Sequence, residues 1–225
     1  GISLRSWHGR MMQRGESVPL RVAARIIVEI LDGLRAAHDA GVIHRDLKPE
    51  NIILVGEPTD SAAPLKLLDF GIAKLLEAEA YQQTMAVTRE GMRAMTPEYA
   101  SPEQVRGEPI SVATDVYALG ILLYKLMTGA SPYGVPLVTA RDYEAAIIES
   151  DPRKPSTAVS AAGTPDTIFT SRSVSLDRLR KQLAGDLDNI ALKALQKEPE
   201  RRYATASTLS DDIGRYLAHE PILAR

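Results

Sequence analysis

The chain has 225 residues, 44% of them hydrophobic and 25% charged, with 27 basic against 29 acidic side chains and a net charge of −2. That balance provides no broad positive footprint for nucleic acid or an anionic membrane surface. The longest apolar stretch, Val116 to Tyr124, stops at Lys125, well short of the roughly 20 residues that cross a bilayer. The absence of cysteine removes disulfides, thiolate metal sites and cysteine nucleophiles, and it fits a reducing, cytoplasmic setting.

Taken in chain order, Gly1-Ile2-Ser3-Leu4 carries no initiator methionine, basic region or apolar run, and reads as a cut edge instead of a signal peptide. From Leu20 to Ala40 the apolar positions Val22, Ile26, Ile30, Leu34 and Ala37 recur at helical spacing, with Pro19 at the entrance and Gly41 past the end. Two β-branched runs, Ile52 to Val55 and Leu65 to Leu68, flank a Pro- and Gly-containing stretch and predict a hairpin with a long loop. Residues 72 to 95 have no sustained apolar face and read as an exposed loop. Thr114 to Thr128 is apolar almost all round and ends at Gly129, which predicts a helix buried in the middle of the domain. A short helix is expected over Asp142 to Ser150, and loop from Asp151 to Ser175. Arg178 to Lys181 reads as one turn of a solvated helix. Two amphipathic helices, Asp186 to Gln196 and Ala206 to Ala218, are joined by the polar turn Lys197 to Tyr203. There is no internal repeat and no linker that would split the chain.

Chemistry concentrates at His44-Arg45-Asp46-Leu47-Lys48-Pro49-Glu50-Asn51, followed across the predicted hairpin by Asp69-Phe70-Gly71. The two blocks together resemble the catalytic loop and metal-binding signature of protein kinases. Phosphoryl transfer asks a protein mainly for positioning and charge neutralisation. The resemblance implies that Asp46 receives the proton of the substrate hydroxyl and that Lys48 sets a cation over the phosphoryl oxygens. It also implies that Asn51 and Asp69 hold Mg²⁺ beside ATP, as oxygen donors suited to a hard cation. Lys48 in that place is similar to serine/threonine kinases.

Thr96-Pro97-Glu98-Tyr99-Ala100-Ser101-Pro102-Glu103 resembles the end of an activation segment, with Ser101 where the family usually has Ala. By that likeness Thr96 helps seat the substrate hydroxyl against Asp46 and Lys48, Glu103 pairs with a buried Arg202, and Asp115 bonds to the backbone of the catalytic loop. Arg45 would receive a phosphate from the activation loop, for which Thr84 and Thr88 are candidates. His44 is read as a packing residue, and His8, His38 and His219 as surface or helix-face residues.

The runs 186 to 195, 198 to 203 and 216 to 221 are similar to bacterial eukaryotic-like serine/threonine kinases. The implied fold is α+β and protein kinase-like, here the predominantly α-helical C-terminal lobe over residues 1–225, with a small hairpin near the catalytic loop and an activation segment over 69–103. No glycine-rich loop or V-A-I-K-type lysine precedes His44, so the ATP-covering N-terminal lobe is expected as a missing partner, and the chain alone as inactive. A protein substrate, ATP and Mg²⁺ are the implied partners, with neither nucleic acid nor a membrane segment in this chain. In that group a membrane span often follows the kinase domain. A non-catalytic pseudokinase-like binding module and a small-molecule phosphotransferase of similar fold are the competing readings.

Overall fold

The structure, a computed structural model, describes residues 1–59, 61–70, 97–134, 138–159 and 176–224. The chain runs β1 (Ile2–Ser3), α1 (Leu4–Gln13), α2 (Leu20–Asp39), β2 (Ile52–Leu54), β3 (Leu65–Leu67), α3 (Pro102–Arg106) and α4 (Val112–Thr128). It continues through α5 (Ala140–Glu149), α6 (Pro155–Ala158), α7 (Leu176–Leu183), α8 (Asp186–Ala194) and α9 (Ala206–Ala218), with 3-10 turns at Pro49–Asn51, Pro97–Tyr99 and Pro199–Arg201. This is the helix-dominated α+β arrangement that the family resemblance implies.

α4 is the axis. Ser111 accepts from Ala113 N–H and Thr114 reaches back to the cap, which satisfies donors that a helix start leaves open. Every residue from Ala113 to Tyr124 is buried, so α4 has no face to offer water and neighbours must surround it. It ends at Gly129, whose φ of 70° a residue with a Cβ adopts only under strain. α2 and α8 pack on α4, and α9 packs on α2. At Gly120 the approach is so close that a Cβ would lie 2.9 Å from the Ala194 Cβ and 3.0 Å from a Leu195 methyl. α2 turns Ile26, Ile27, Ile30, Leu31 and Leu34 inward, each worth about 1.5–3 kcal/mol of apolar burial.

The hairpin forms as expected. β2 and β3 pair antiparallel with Ile52 opposite Leu67 and Leu54 opposite Leu65, and β1 adds to the other edge of β2, with Ile2 opposite Leu54. β1 and α1 were not expected: a two-residue strand has no alternation to read, and α1 carries Gly9 and buries only Leu4 and Trp7. The loop expected over Asp151 to Ser175 is corrected at its start, where α6 is held because Asp188 accepts from both Ser156 N–H (2.9 Å) and Ser156 O–H (2.6 Å). The rest of it, 160 to 175, lies outside the described residues, as does the loop expected over 72 to 95. The turn at 197–203 joins α8 and α9 as expected, and Arg202 and Tyr203 at its end are buried, each with its polar group satisfied inside the fold. Among the described residues no helix is long and apolar enough to cross a membrane.

Candidate active site

The loop from His44 to Asn51 is held from behind by the first turn of α4. Asp115 accepts from the backbone N–H of His44 at 2.8 Å and of Arg45 at 2.9 Å, while His38 Nε2 lies 2.8 Å from the same carboxylate. On the other side, Gln104 Nε2 donates to Arg45 O at 2.8 Å. Between these clamps Arg45 sits at φ 66°, a left-handed conformation that costs a residue with a Cβ on the order of 1–2 kcal/mol. Such strain persists where the surroundings over-determine it, and it gathers at functional sites. Asp69, at φ 53°, is the second strained residue of the site.

His44 is fully buried. Its Nε2–H donates to Leu68 O at 3.0 Å and its ring lies 4.8 Å from that of Phe70. Burial lowers its pKa more than Asp115 raises it, so the neutral ring joins the loop to the end of β3. That agrees with a packing role.

In front of this scaffold, Lys48 Nζ lies 2.8 Å from Asp46 Oδ2. Asn51 Nδ2 donates to Asp46 O at 2.9 Å and approaches Asp46 Oδ2 at 3.4 Å. The turn Pro49–Asn51 makes this contact possible by returning Asn51 N–H to Lys48 O at 3.0 Å. Asp46, Lys48 and Asn51 are therefore in mutual contact. Leu68 N–H donates to Asn51 O at 2.8 Å, one step past the Ile52–Leu67 register. Asp69 follows directly at the same end of the hairpin, with its side chain exposed. Thr96, Thr84 and Thr88 lie outside the described residues.

The donor set suits a hard cation. Asn51 turns its amide nitrogen to Asp46, which leaves its oxygen for another partner, and Asp69 offers an exposed carboxylate. Mg²⁺ usually takes one or two carboxylates and completes its shell with phosphate and water. Among the described residues there is no group of three or more His, Cys, Asp or Glu side chains that could hold a metal ion.

Further back, Arg202 forks onto Glu103 with two bonds of 2.7 Å, and its other donors meet Gln196 O, Ala113 O and Lys197 O. Thr114 O–H adds a 2.7 Å bond to Glu103. Burial pushes the Glu103 pKa up, but Arg202 and Thr114 outweigh it and hold the carboxyl below its ordinary value. Glu103 thus ties α3 to the C-terminal helices, and Gln104 ties the same short helix to the catalytic loop.

Two supports were missed from sequence. His38, expected on a surface or a helix face, lies on α2 but is almost buried against Asp115, because the last turn of α2 ends beside α4. Gln104 is half of a capping box with Ser101, a spacing visible in the sequence. His8 is half-buried in a cleft, and His219 is an exposed left-handed C-cap of α9.

The family model described as Protein kinase domain matches residues 5–212. The chain is 35% identical over 193 residues to a probable serine/threonine-protein kinase PknB of Corynebacterium glutamicum, a match covering 86% of this chain and 26% of that protein. It is 33% identical over 226 residues to the serine/threonine-protein kinase Pkn1 of Myxococcus xanthus, covering 100% of this chain and 28% of the relative. The chain thus spans little more than a quarter of either protein. Among solved structures, the PknI kinase domain of Mycobacterium tuberculosis has the same fold, with a TM-score of 0.57 at 23% identity over 96% of this chain and 62% of that one.

Proposed function

Since the chain belongs to the protein kinase family, we propose that the intact protein transfers the γ-phosphoryl of Mg-ATP to serine or threonine hydroxyls of protein substrates. The observation that carries this reading is the mutual contact of Asp46, Lys48 and Asn51 on a strained loop fixed from behind. A scaffold has no need to hold a carboxylate, an ammonium and an amide together at a half-open surface.

In this reading Asp46 orients the incoming hydroxyl and accepts its proton, and Lys48, now on Asp46, turns its remaining donors to the phosphoryl oxygens. Asn51 and Asp69 would hold Mg²⁺, which when bound neutralises charge on the phosphates. Thr96 assists in seating the hydroxyl. Residues 69–103 form the activation segment of a helical lobe that spans residues 1–225. A nucleotide-covering lobe is required in addition, so purified residues 1–225 alone turn nothing over.

The test offers the intact protein γ-labelled ATP and Mg²⁺ with matched serine, threonine and tyrosine peptides and an aminoglycoside. Label is expected on the serine and threonine peptides and lost with EDTA. Label on the aminoglycoside alone would make the protein a small-molecule phosphotransferase. No label anywhere, from a protein that folds, would make it a binding module.

A further inference from the structure

We propose that the cleft beside the catalytic loop selects substrate segments bearing a carboxylate side chain, and that Lys125 and Arg5 impose the choice. The inference rests on the phosphotransfer reading and names the substrate class for it. The cleft encloses about 480 Å³ between α1, α4, α5 and the turn at Pro97–Tyr99, and its polar lining includes Arg5, His8, Glu98, Tyr99, Lys125 and Tyr143. Tyr99 also lines the recess that contains Asp46 and Lys48, and Pro49, the residue after Lys48, lines the cleft itself. A protein segment whose hydroxyl reaches Asp46 therefore runs its flanking residues into this space.

The charges facing that space are unevenly available. Glu98, the only carboxylate of the lining among the described residues, is in direct contact with the Lys125 ammonium, which also lies 5.0 Å above the Tyr99 ring. Nearby Glu50 holds Arg5 at 2.9 Å, and its second oxygen is buried with no hydrogen-bond partner. Among the described residues, the two carboxylates at the cleft, Glu98 and Glu50, each already carry a cation of the protein. An entering cation would meet Arg5 and Lys125 instead, and like charges brought together across an interface repel.

A carboxylate meets the opposite situation. An ammonium has three donors and a guanidinium five, so each of these cations keeps donors beyond the ones it directs at Glu98 or Glu50. Arg5, though paired with Glu50, keeps 61% of its side chain exposed. Burial and the Arg5 charge, against the opposing pull of Glu50, bring the Lys125 pKa down to about 8, so it stays charged at neutral pH. Burial and Lys125 lower the pKa of His8, which adds a neutral polar group. Of the α1 residues that line the cleft, Leu4, Arg5, His8 and Gly9, none is acidic.

The experiment uses the intact protein and peptide sets that differ only in Glu, Ala or Lys at each position flanking one threonine. The expected kcat/KM favours Glu over Lys about tenfold at one or more positions. Arg5→Glu, at an exposed side chain, should shrink that ratio at least about fivefold, with the change in KM and not in kcat, as loss of uniform binding requires. Lys125→Met, checked for folding by circular dichroism, should shrink it as well. Equal use of Glu and Lys peptides by the wild type, a preference for Lys, or an unchanged ratio in Arg5→Glu would overturn the proposal and leave phosphotransfer standing. Transfer to no peptide of any set would overturn the phosphotransfer reading and this inference with it.

Discussion

Behind the catalytic loop, Asp115, Glu103 and Arg202 are 1%, 2% and 4% exposed, and their polar atoms meet backbone N–H, carbonyl and hydroxyl groups at hydrogen-bond distance. In front of it, Asp46 and Lys48 keep about a fifth of their side chains in solvent, and Asp69 stands exposed. Desolvated charge is tolerated only where it is fully paired, so the buried set is saturated and has nothing left to offer a ligand. The open set keeps access to solvent, which suits the proposed binding of phosphate, metal and a hydroxyl. Charged side chains are thus divided between those that hold the loop and those proposed to act as its reagents.

Breaking the buried set should show mainly in stability. Arg202→Ala leaves Glu103 buried without its cation and should lower the unfolding free energy by about 3–5 kcal/mol, measured by urea denaturation. A loss below about 1 kcal/mol would mean that the pair is not the lock it looks like. Asp115→Ala removes the acceptor for two buried N–H groups and should cost about 3 kcal/mol. Amide exchange should speed up at His44 and Arg45 more than in α9, and uniform exchange would remove Asp115 as the clamp. Gly120→Ala forces a methyl against Ala194 and Leu195 and should cost about 1–3 kcal/mol through overpacking. A neutral result would show that α4 and α8 separate easily.

The smallest effect is with acid. The Glu103 pKa is depressed in the fold below its ordinary 4.5, so its contribution is present above that value and is lost as pH falls through the folded pKa. The denaturation midpoint should fall below pH 4.5 in the wild type and less steeply in Glu103→Gln. Parallel curves would assign the acid sensitivity elsewhere.

Much of this was legible in the sequence, for identifiable reasons. α2 and α4 are written in helical periodicity, the β2–β3 hairpin in two β-branched runs, and the clustering of Asp46, Lys48 and Asn51 in a motif that resembles the kinase catalytic loop. Partners far apart in the chain were harder. His38 and Asp115 are separated by 77 positions, and no local pattern joins them, so His38 read as a surface or helix-face residue with no partner assigned. Glu103 and Arg202 are separated by 99 positions and were paired only through family likeness. Lys125 read merely as the end of an apolar stretch, because its contact with Glu98 exists only once α4 packs beneath the turn at Pro97–Tyr99.

The most direct measurement is turnover and stability together for Asp46→Asn in the intact protein. Loss of the proton acceptor should slow phosphoryl transfer by about 10²–10⁴-fold, while the urea midpoint stays within error of the wild type. Undiminished transfer would contradict the assignment of Asp46, and a loss of stability comparable to that of Arg202→Ala would contradict the division between scaffold and reagents.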